Sequence, residues 1–332
     1  MTWDVAGLGN AIMDALVILE DDSLIEELGL TRGTMHPVDH DRWQEVYERI
    51  RLHKVTFASG GSCANTVATV GELGGKALYR GQVGDDQMGH MYASLMERAC
   101  GQHALAFSKE ATTGKCLSII SSSDAERTML TDLGASIHLP GLGAFAEDLG
   151  RTKVAHFTGY TLLGGPMKET VLGAMTIAKD AGALVSVDAA DPFVVHEIRD
   201  TFWSVLRSFA DVVFLNEEEA RSLAEIDDPE QACRSIASEA GLRTTIVKLG
   251  SKGSMVLHEG ELVRVPIHKV DAVDTTGAGD AYAGGYLFGM SRGWSPDRCG
   301  ALATRVAGLT VAQIGAVVQD RQALEEALAA VS

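Results

Sequence analysis

Gly277-Ala278-Gly279, followed at once by Asp280, is the stretch of this chain whose residue types and spacing most directly suggest chemistry. Thr275 to Gly279 are turn formers and small residues, whereas Ala281 to Met290 are apolar or small. The pattern predicts a tight turn feeding a buried helix, with Asp280 in its first turn. The amides of Gly277, Ala278 and Gly279 would then converge at the helix N-terminus, where free N–H groups and the positive end of the dipole hold anionic oxygen. A carboxylate beside such amides suits acceptance of a proton from a hydroxyl that attacks phosphorus, so Asp280 is the candidate general base. For a bare Gly-x-Gly-Asp, a plain helix start with an early acid is the simpler alternative.

Four further groups stand out. Gly60-Gly61-Ser62-Cys63-Ala64-Asn65 is a glycine pair opening a helix, explicable as a cap alone. Asn10 and Asp14 stand four apart after the Gly7-Leu8-Gly9 turn; a carboxylate accepts two hydrogen bonds from a vicinal diol, so Asp14 could clamp a ribose. The alternative is a turn Asn and a solvated strand Asp. Asn216-Glu217-Glu218-Glu219 follows a strand and reads as a capped, acidic helix start. Lys248-Leu249-Gly250-Ser251-Lys252-Gly253 reads as a hairpin turn; Gly-x-x-x-x-Gly-Lys-Ser/Thr is absent, which excludes a P-loop kinase.

Together, Asp274-Thr275-Thr276-Gly277-Ala278-Gly279-Asp280-Ala281 and the Gly60-Gly61 segment resemble the two signatures of the ribokinase-like (PfkB) family of carbohydrate and nucleoside kinases. The resemblance implies ATP and Mg²⁺ as cofactors, with Asp280 as base and Gly277, Ala278 and Gly279 as the anion hole. Gly60, Gly61 and Asn65 would bind the acceptor. Asn216 and Glu219 would organise Mg²⁺ and its waters, one Glu working through water being enough. Lys248, Gly250, Gly253 and Thr276 would lie along ATP, and Asp274 would help bind a monovalent cation such as K⁺. Gly9-Asn10-Ala11-Ile12-Met13-Asp14 is similar to a segment of the adenosine kinase branch, as is the stretch from Arg127 to Ala135. This branch makes Asn10 and Asp14 acceptor ligands and brings Arg127 toward phosphate. Phe157 and Tyr160 are candidate walls of a purine slot, or core residues. Two positions depart from that branch: Ala64 stands where Gln is usual, and Thr276 where Asn is usual.

The elements that must position these groups alternate. Strands are expected at Trp3–Gly9, Lys76–Val83, Val154–Thr158, Leu184–Asp188, Val212–Leu215, Thr244–Leu249, Ser254–His258 and Leu262–Pro266. Helices are expected at Ala64–Leu73, Met88–Cys100, Pro166–Ala181, Phe202–Phe209, Pro296–Gln313 and Arg321–Ala330. Such alternation predicts an α/β fold, a three-layer α/β/α sandwich with a mainly parallel sheet and ligands at the strands' carboxyl ends. It is interrupted twice. Residues 13–58 hold a strand at Asp14–Leu19 and acidic helices at Asp22–Leu28 and His40–Leu52; residues 111–133 hold a hairpin, Cys116–Ser121 and Glu126–Asp132, turning at Ser122-Ser123-Asp124. The two inserts are expected to form a smaller α+β lid on a core of residues 1–12, 59–110 and 134–332, all within one kinase unit.

Among 332 residues, 46% are hydrophobic and 22% charged, which excludes a disordered chain. Lys and Arg number 28 against 45 acids, a formal charge of −17, so a broad nucleic-acid or membrane surface is not expected. The five cysteines lack Cys-x-x-Cys spacing and, with no leader-like N-terminus at Met1 to Gly7, suggest a reduced, cytoplasmic protein; monomer and homodimer both stay open. The favoured reaction is phosphorylation of the 5′-hydroxyl of a ribose-type acceptor, foremost adenosine. A free sugar or sugar acid (ribose, fructose, 2-keto-3-deoxygluconate) is the alternative acceptor. A dinucleotide-dependent oxidoreductase built on Gly7-Leu8-Gly9 is a remote one, since Ile12 stands where a third glycine is needed.

Overall fold

Runs of β-branched and apolar residues separated by amphipathic segments lead, in a computed structural model describing residues 2–123 and 126–331, to a large sheet, a smaller sheet and a two-stranded ribbon with covering helices. In chain order the elements begin β1 (Trp3–Leu8), β2 (Ile12–Leu19), α1 (Ser23–Glu27), β3 (Met35–Pro37), α2 (His40–Ile50), β4 (Val55–Gly60) and α3 (Ser62–Glu72). There follow β5 (Ala77–Arg80), β6 (Gln82–Gly84), α4 (Gln87–Cys100), β7 (Ala106–Ser108), β8 (Gly114–Ser121), β9 (Arg127–Asp132), α5 (Phe145–Leu149), β10 (Thr152–Thr158) and α6 (Gly165–Asp180). Next come β11 (Leu184–Asp188), α7 (Pro192–Ser208), β12 (Val212–Asn216), α8 (Glu217–Ala224), α9 (Pro229–Ala240) and β13 (Thr244–Lys248). The chain closes with β14 (Ser254–His258), β15 (Glu261–Val265), α10 (Ala278–Met290), α11 (Pro296–Val311) and α12 (Arg321–Ala329). Met1 and the turn residue Asp124 lie outside the described residues.

The large sheet runs β15-β14-β13-β12-β11-β10-β1-β5, parallel from β13 to β5, with β14 and β15 antiparallel at one edge. Its inner strands are buried on both faces, as β12 shows with Val212, Val213, Phe214 and Leu215 at 0% exposure. One face packs on α6, α7 and α9 through Val171, Phe202 and Ile236; the other packs on α3, α10 and α11 through Val67, Ala283 and Leu302. Leu8, Thr158, Asp188, Asn216 and Lys248 all end parallel strands, so their carboxyl ends share one edge.

Two helices matter most to that edge. A Cβ on Gly284 of α10 would lie 2.6 Å from Thr69 Cβ and 2.8 Å from the Thr66 carbonyl of α3, so the two helix backbones meet through a missing methyl. The expected strand Lys76–Val83 is broken at Gly81: β5 stays in the large sheet, whereas β6 leaves to pair with β7.

The smaller sheet runs β3-β9-β8-β2-β4. The hairpin β8–β9 returns to pair with β2, in parallel, and β4 adds antiparallel to β2 on the far side. Cross-strand partners share a face, so the register sorts the sheet. Ala15, Leu117 and Leu130 lie under α1 and α2 with Trp43, Val46 and Ile50. Asp14, Cys116, Thr131 and Pro37 line up on the opposite face, with Met35 and Met129 one step along it.

Candidate active site

Gly277 caps α10 at φ +70°, a left-handed conformation that favours glycine, and a Cβ there would lie 2.3 Å from Ala316 Cβ. The turn is tied by Asp274, whose Oδ1 accepts from the Thr276 amide at 2.9 Å and the Thr276 hydroxyl at 2.5 Å, while Oδ2 accepts from the Gly315 amide at 3.1 Å. The Ala278 amide turns back to the Thr275 carbonyl at 3.3 Å, whereas those of Gly277, Gly279 and Asp280 have no acceptor among the described residues. The open donors are therefore Gly277, Gly279 and Asp280 rather than the expected trio including Ala278.

Asp280 faces α3. Its Oδ1 accepts from the Ser62 hydroxyl at 2.6 Å and its Oδ2 from Asn65 Nδ2 at 2.8 Å. Burial raises the carboxyl toward neutrality; the Ser62 and Asn65 bonds pull it back, the Asp188 charge pushes it up and Lys248 lowers it, to a result of about 6. Asn65 is buried, and its Oδ1 has no partner among the described residues. Ser62 was not singled out as a functional residue by sequence; its place as first residue of a glycine-opened helix was the available signal.

Across the cleft, the Asp14 carboxylate lies over Gly60: a Cβ on that glycine would meet Asp14 Oδ2 at 2.2 Å. Asp14 accepts no hydrogen bond among the described residues. Burial pushes its carboxyl up, Arg127 opposes this, and the charges of Asp280 and Asp274 add to it, so that it reaches about 7. Gly61, at φ +93°, packs on the Asn10 carbonyl, and Asn10 Nδ2 donates to the Ser136 carbonyl at 3.2 Å, while its Oδ1 accepts from no donor among the described residues. Arg127 of β9 reaches down to donate to Thr276 Oγ1 and stands 4.0 Å from Asp274, so the smaller sheet touches the glycine turn.

On the other side of the turn, Lys248 Nζ donates to Asp188 Oδ2 at 2.9 Å, and a Cβ on Gly279 would lie 3.0 Å from the same Nζ. Burial opposes the charged ammonium, but Asp188, Glu219 and Asp280 outweigh it and raise Lys248 above its ordinary range. Asp188, an acid at the carboxyl end of an inner parallel strand, was missed by sequence reading although that position is a recognised ligand edge. Asn216 and Glu219 form a reciprocal capping box: Asn216 Oδ1 accepts from the Glu219 amide at 2.8 Å, and Glu219 takes the Asn216 amide at 2.6 Å and its side-chain Nδ2 at 2.8 Å. The capping alternative is thus present, and Glu219, 1% exposed, is raised chiefly by burial against the opposing pull of Lys248. Gly250 faces open space at φ +56°, and Gly253, at φ +88°, fits against the Val265 carbonyl.

The two candidate aromatic walls separate. Phe157 is 0% exposed, because its side of β10 faces the core shared with Leu162, Val187 and Val195, and it offers no surface to a ligand. Tyr160 is 38% exposed, donates to Asp191 at 3.1 Å and feels the charges of Asp280 and Glu219, so it stands at the cleft rim. Met35, 50% exposed, shares a face of the smaller sheet with Asp14 and was missed by sequence reading because only strand register assigns it that face; Leu133, 45% exposed, follows directly after β9.

Comparison with known proteins agrees with this geometry. The family profile described as pfkB family carbohydrate kinase matches residues 33–322. A fructokinase-1 of Oryza sativa subsp. japonica is 31% identical over 69% of this chain and 73% of its own length. The solved adenosine kinase of Sinorhizobium meliloti is 35% identical with a TM-score of 0.88, covering 99% of this chain and 100% of that one. A probable sugar kinase protein of Rhizobium etli CFN 42 is 33% identical with a TM-score of 0.90, covering all of both chains.

Proposed function

We propose that this chain, which belongs to the pfkB family of carbohydrate kinases, transfers the terminal phosphoryl group of ATP to the primary 5′-hydroxyl of a ribose-type acceptor, foremost adenosine. The observation that carries the reading is the pairing of two carboxylates across one cleft. Asp280 is held by Ser62 and Asn65 at an open helix N-terminus, and Asp14, without a hydrogen-bond partner among the described residues, lies over Gly60 on a sheet face that also carries Cys116, Thr131, Met35 and Met129. A partnerless, half-buried carboxylate is costly unless a ligand supplies donors, and a vicinal diol supplies two. Tyr160 and the exposed Met35, with Met129 beside it in register, would offer apolar surface to a flat base.

In this reading Asp14, Asn10, Gly61 and Asn65 hold the sugar ring. Asp280, near 6, is ionised at neutral pH yet basic enough to take the hydroxyl proton in the transition state. The open Gly277 and Gly279 amides receive the developing charge, with Lys248 beside them and Arg127 closing from above. Three carboxylates, Asp188, Glu219 and Asp280, act on the single Lys248 ammonium, an acidic surplus that fits a divalent cation brought with the nucleotide. Mg²⁺, when bound, would screen the phosphate charges, with Asn216 and Glu219 holding its waters. Asp274 is the group to test for a K⁺ requirement. The dinucleotide alternative loses its basis, since the chain after Gly9 enters β2 and no phosphate-binding helix follows.

A free sugar acceptor is favoured by the fructokinase relative instead. ADP release with Mg-ATP and matched adenosine, other nucleosides, ribose, fructose, fructose 6-phosphate and 2-keto-3-deoxygluconate separates the two. A large kcat/KM preference for adenosine is the expected result; preference for a sugar overturns the nucleoside assignment and leaves the kinase chemistry standing.

A further inference from the structure

Asp188 does more than add to the acidic surplus around Lys248: it is 1% exposed and accepts a hydrogen bond from the lysine Nζ at 2.9 Å. The lysine sits on β13 and Asp188 on β11, so the side chain crosses over β12 to reach it. The acid is itself fixed: Oδ1 accepts from the Ala190 amide at 3.0 Å, closing a turn in which Ala190 adopts φ +73°, unfavourable for a residue with a Cβ. Oδ2 is left to point at Nζ. The two other acids acting on Lys248 are already engaged, Glu219 with Asn216 and Asp280 with Ser62 and Asn65.

We propose that Asp188 is a positioning residue, the counter-ion that holds the Lys248 ammonium beside Gly279 at the mouth of the anion hole and keeps it from pairing with the base Asp280. The inference rests on the kinase reading of the site. An ammonium carries three hydrogens, and one bond to Asp188 leaves two for phosphate oxygen. A lysine arrives at a phosphate with a long, freely rotating stem, so fixing its head beforehand spares ordering entropy on nucleotide binding. Without Asp188 the nearest remaining anions are Glu219 and Asp280, and a lysine paired to Asp280 would neutralise the carboxylate that must accept the proton.

The test is a double-mutant cycle read by calorimetric titration of Mg²⁺ with the non-hydrolysable ATP analogue AMP-PNP, which needs no acceptor. Asp188→Asn preserves an oxygen for Ala190 and removes the charge; Lys248→Met preserves the stem. Lys248→Met is expected to weaken binding about tenfold, the scale of one charge-assisted hydrogen bond. Asp188→Asn is expected to weaken it severalfold, and the double variant to match Lys248→Met within about twofold, because Asp188 acts only through the lysine. If Asp188→Asn binds as well as or more tightly than the unaltered chain, or if its loss persists undiminished in the Lys248→Met background, the proposal is overturned. Should Asp188→Asn fail to fold with its lysine unpaired, the comparison of the double variant with Lys248→Met alone decides: equal affinities support the proposal and a weaker double variant overturns it. Unchanged affinity in Lys248→Met removes the lysine from the nucleotide site and takes the proposal with it, while the kinase reading still stands or falls on turnover.

Discussion

Replacing Asp280 by Asn isolates the proton transfer from the rest of the site. The substitution keeps the shape of the side chain, and its remaining carbonyl oxygen can still accept from Ser62, 2.6 Å away in the present geometry. Its new NH₂ would face Asn65 Nδ2, a donor against a donor; Asn65 can rotate its amide so that Oδ1, buried and unpartnered, accepts instead. One orphaned acceptor is satisfied by the exchange, and a carboxylate that burial destabilises is gone, so the melting temperature will hold or rise. The chemistry has no such compensation, because a neutral amide cannot take the hydroxyl proton. Loss of a general base typically costs about a hundredfold to ten-thousandfold in rate, or ~3–6 kcal/mol in barrier at about 1.4 kcal/mol per decade. ADP release under saturating Mg-ATP and acceptor will show kcat down by at least about a hundredfold, with acceptor affinity changed only modestly. In the unaltered chain kcat/KM will also fall as pH drops below about 6, where Asp280 of the free enzyme takes up its proton, and the variant will lack that limb. Turnover within a few-fold of normal, or an acid limb that survives the substitution, would refute the assignment of Asp280 as base.

Asp14→Asn will raise acceptor KM by at least about tenfold, one charged hydrogen bond being worth roughly 1.5–3 kcal/mol. Because the Asp14 carboxyl is raised from 3.8 to about 7, its ionisation opposes folding above about pH 7, and that penalty fades as pH falls from there toward 3.8. The Asn variant will therefore melt higher than the parent at pH 8 and lose the advantage at pH 4, as thermal melts across pH will show. Phe157→Ala and Tyr160→Ala should divide cleanly: the first will cost about 3–5 kcal/mol in denaturant unfolding as a core truncation, and the second will leave stability nearly unchanged while raising KM for adenosine more than for fructose. Gly277→Ala will lose both, since a left-handed residue with a side chain costs roughly 1–2 kcal/mol before the contact with Ala316 is resolved; melting and ADP release measured together will show it.

The parallel core was legible because its strands are continuous apolar runs with clear punctuation, and Leu184–Asp188 and Ser254–His258 have the bounds their sequence suggests. The helix near Phe202–Phe209 begins ten residues earlier, at Pro192: a proline that reads as a breaker is the first residue of α7, capped by Asp191, and the kink at Ile198 hides its continuity. Helix α9 went unread although Ala232, Cys233, Ile236 and Ala240 recur at helical spacing on its buried face and Asp228 and Pro229 mark its start. Asp280, Asn65 and Asp14 could be found because their chemistry travels with local glycines. Met35 and the Asp188–Lys248 pair could not, since each depends on which strands lie side by side, and register is a property of the assembled sheet.

The meeting of α3 and α10 through Gly284 has a mechanical consequence. The group expected to grip the acceptor, Asn65, and the group expected to take its proton, Asp280, belong to two helices whose backbones are in contact, with no flexible side chain between them at Gly284 to act as a spring. Such a joint is stiff. Under the proposed lid role of the smaller sheet, its swings would change how often an acceptor enters and how long it stays, while the path length of the proton would be set by the joint. Warming the protein will then alter dwell time well before it alters the reach of the base, until the joint itself gives way with the fold.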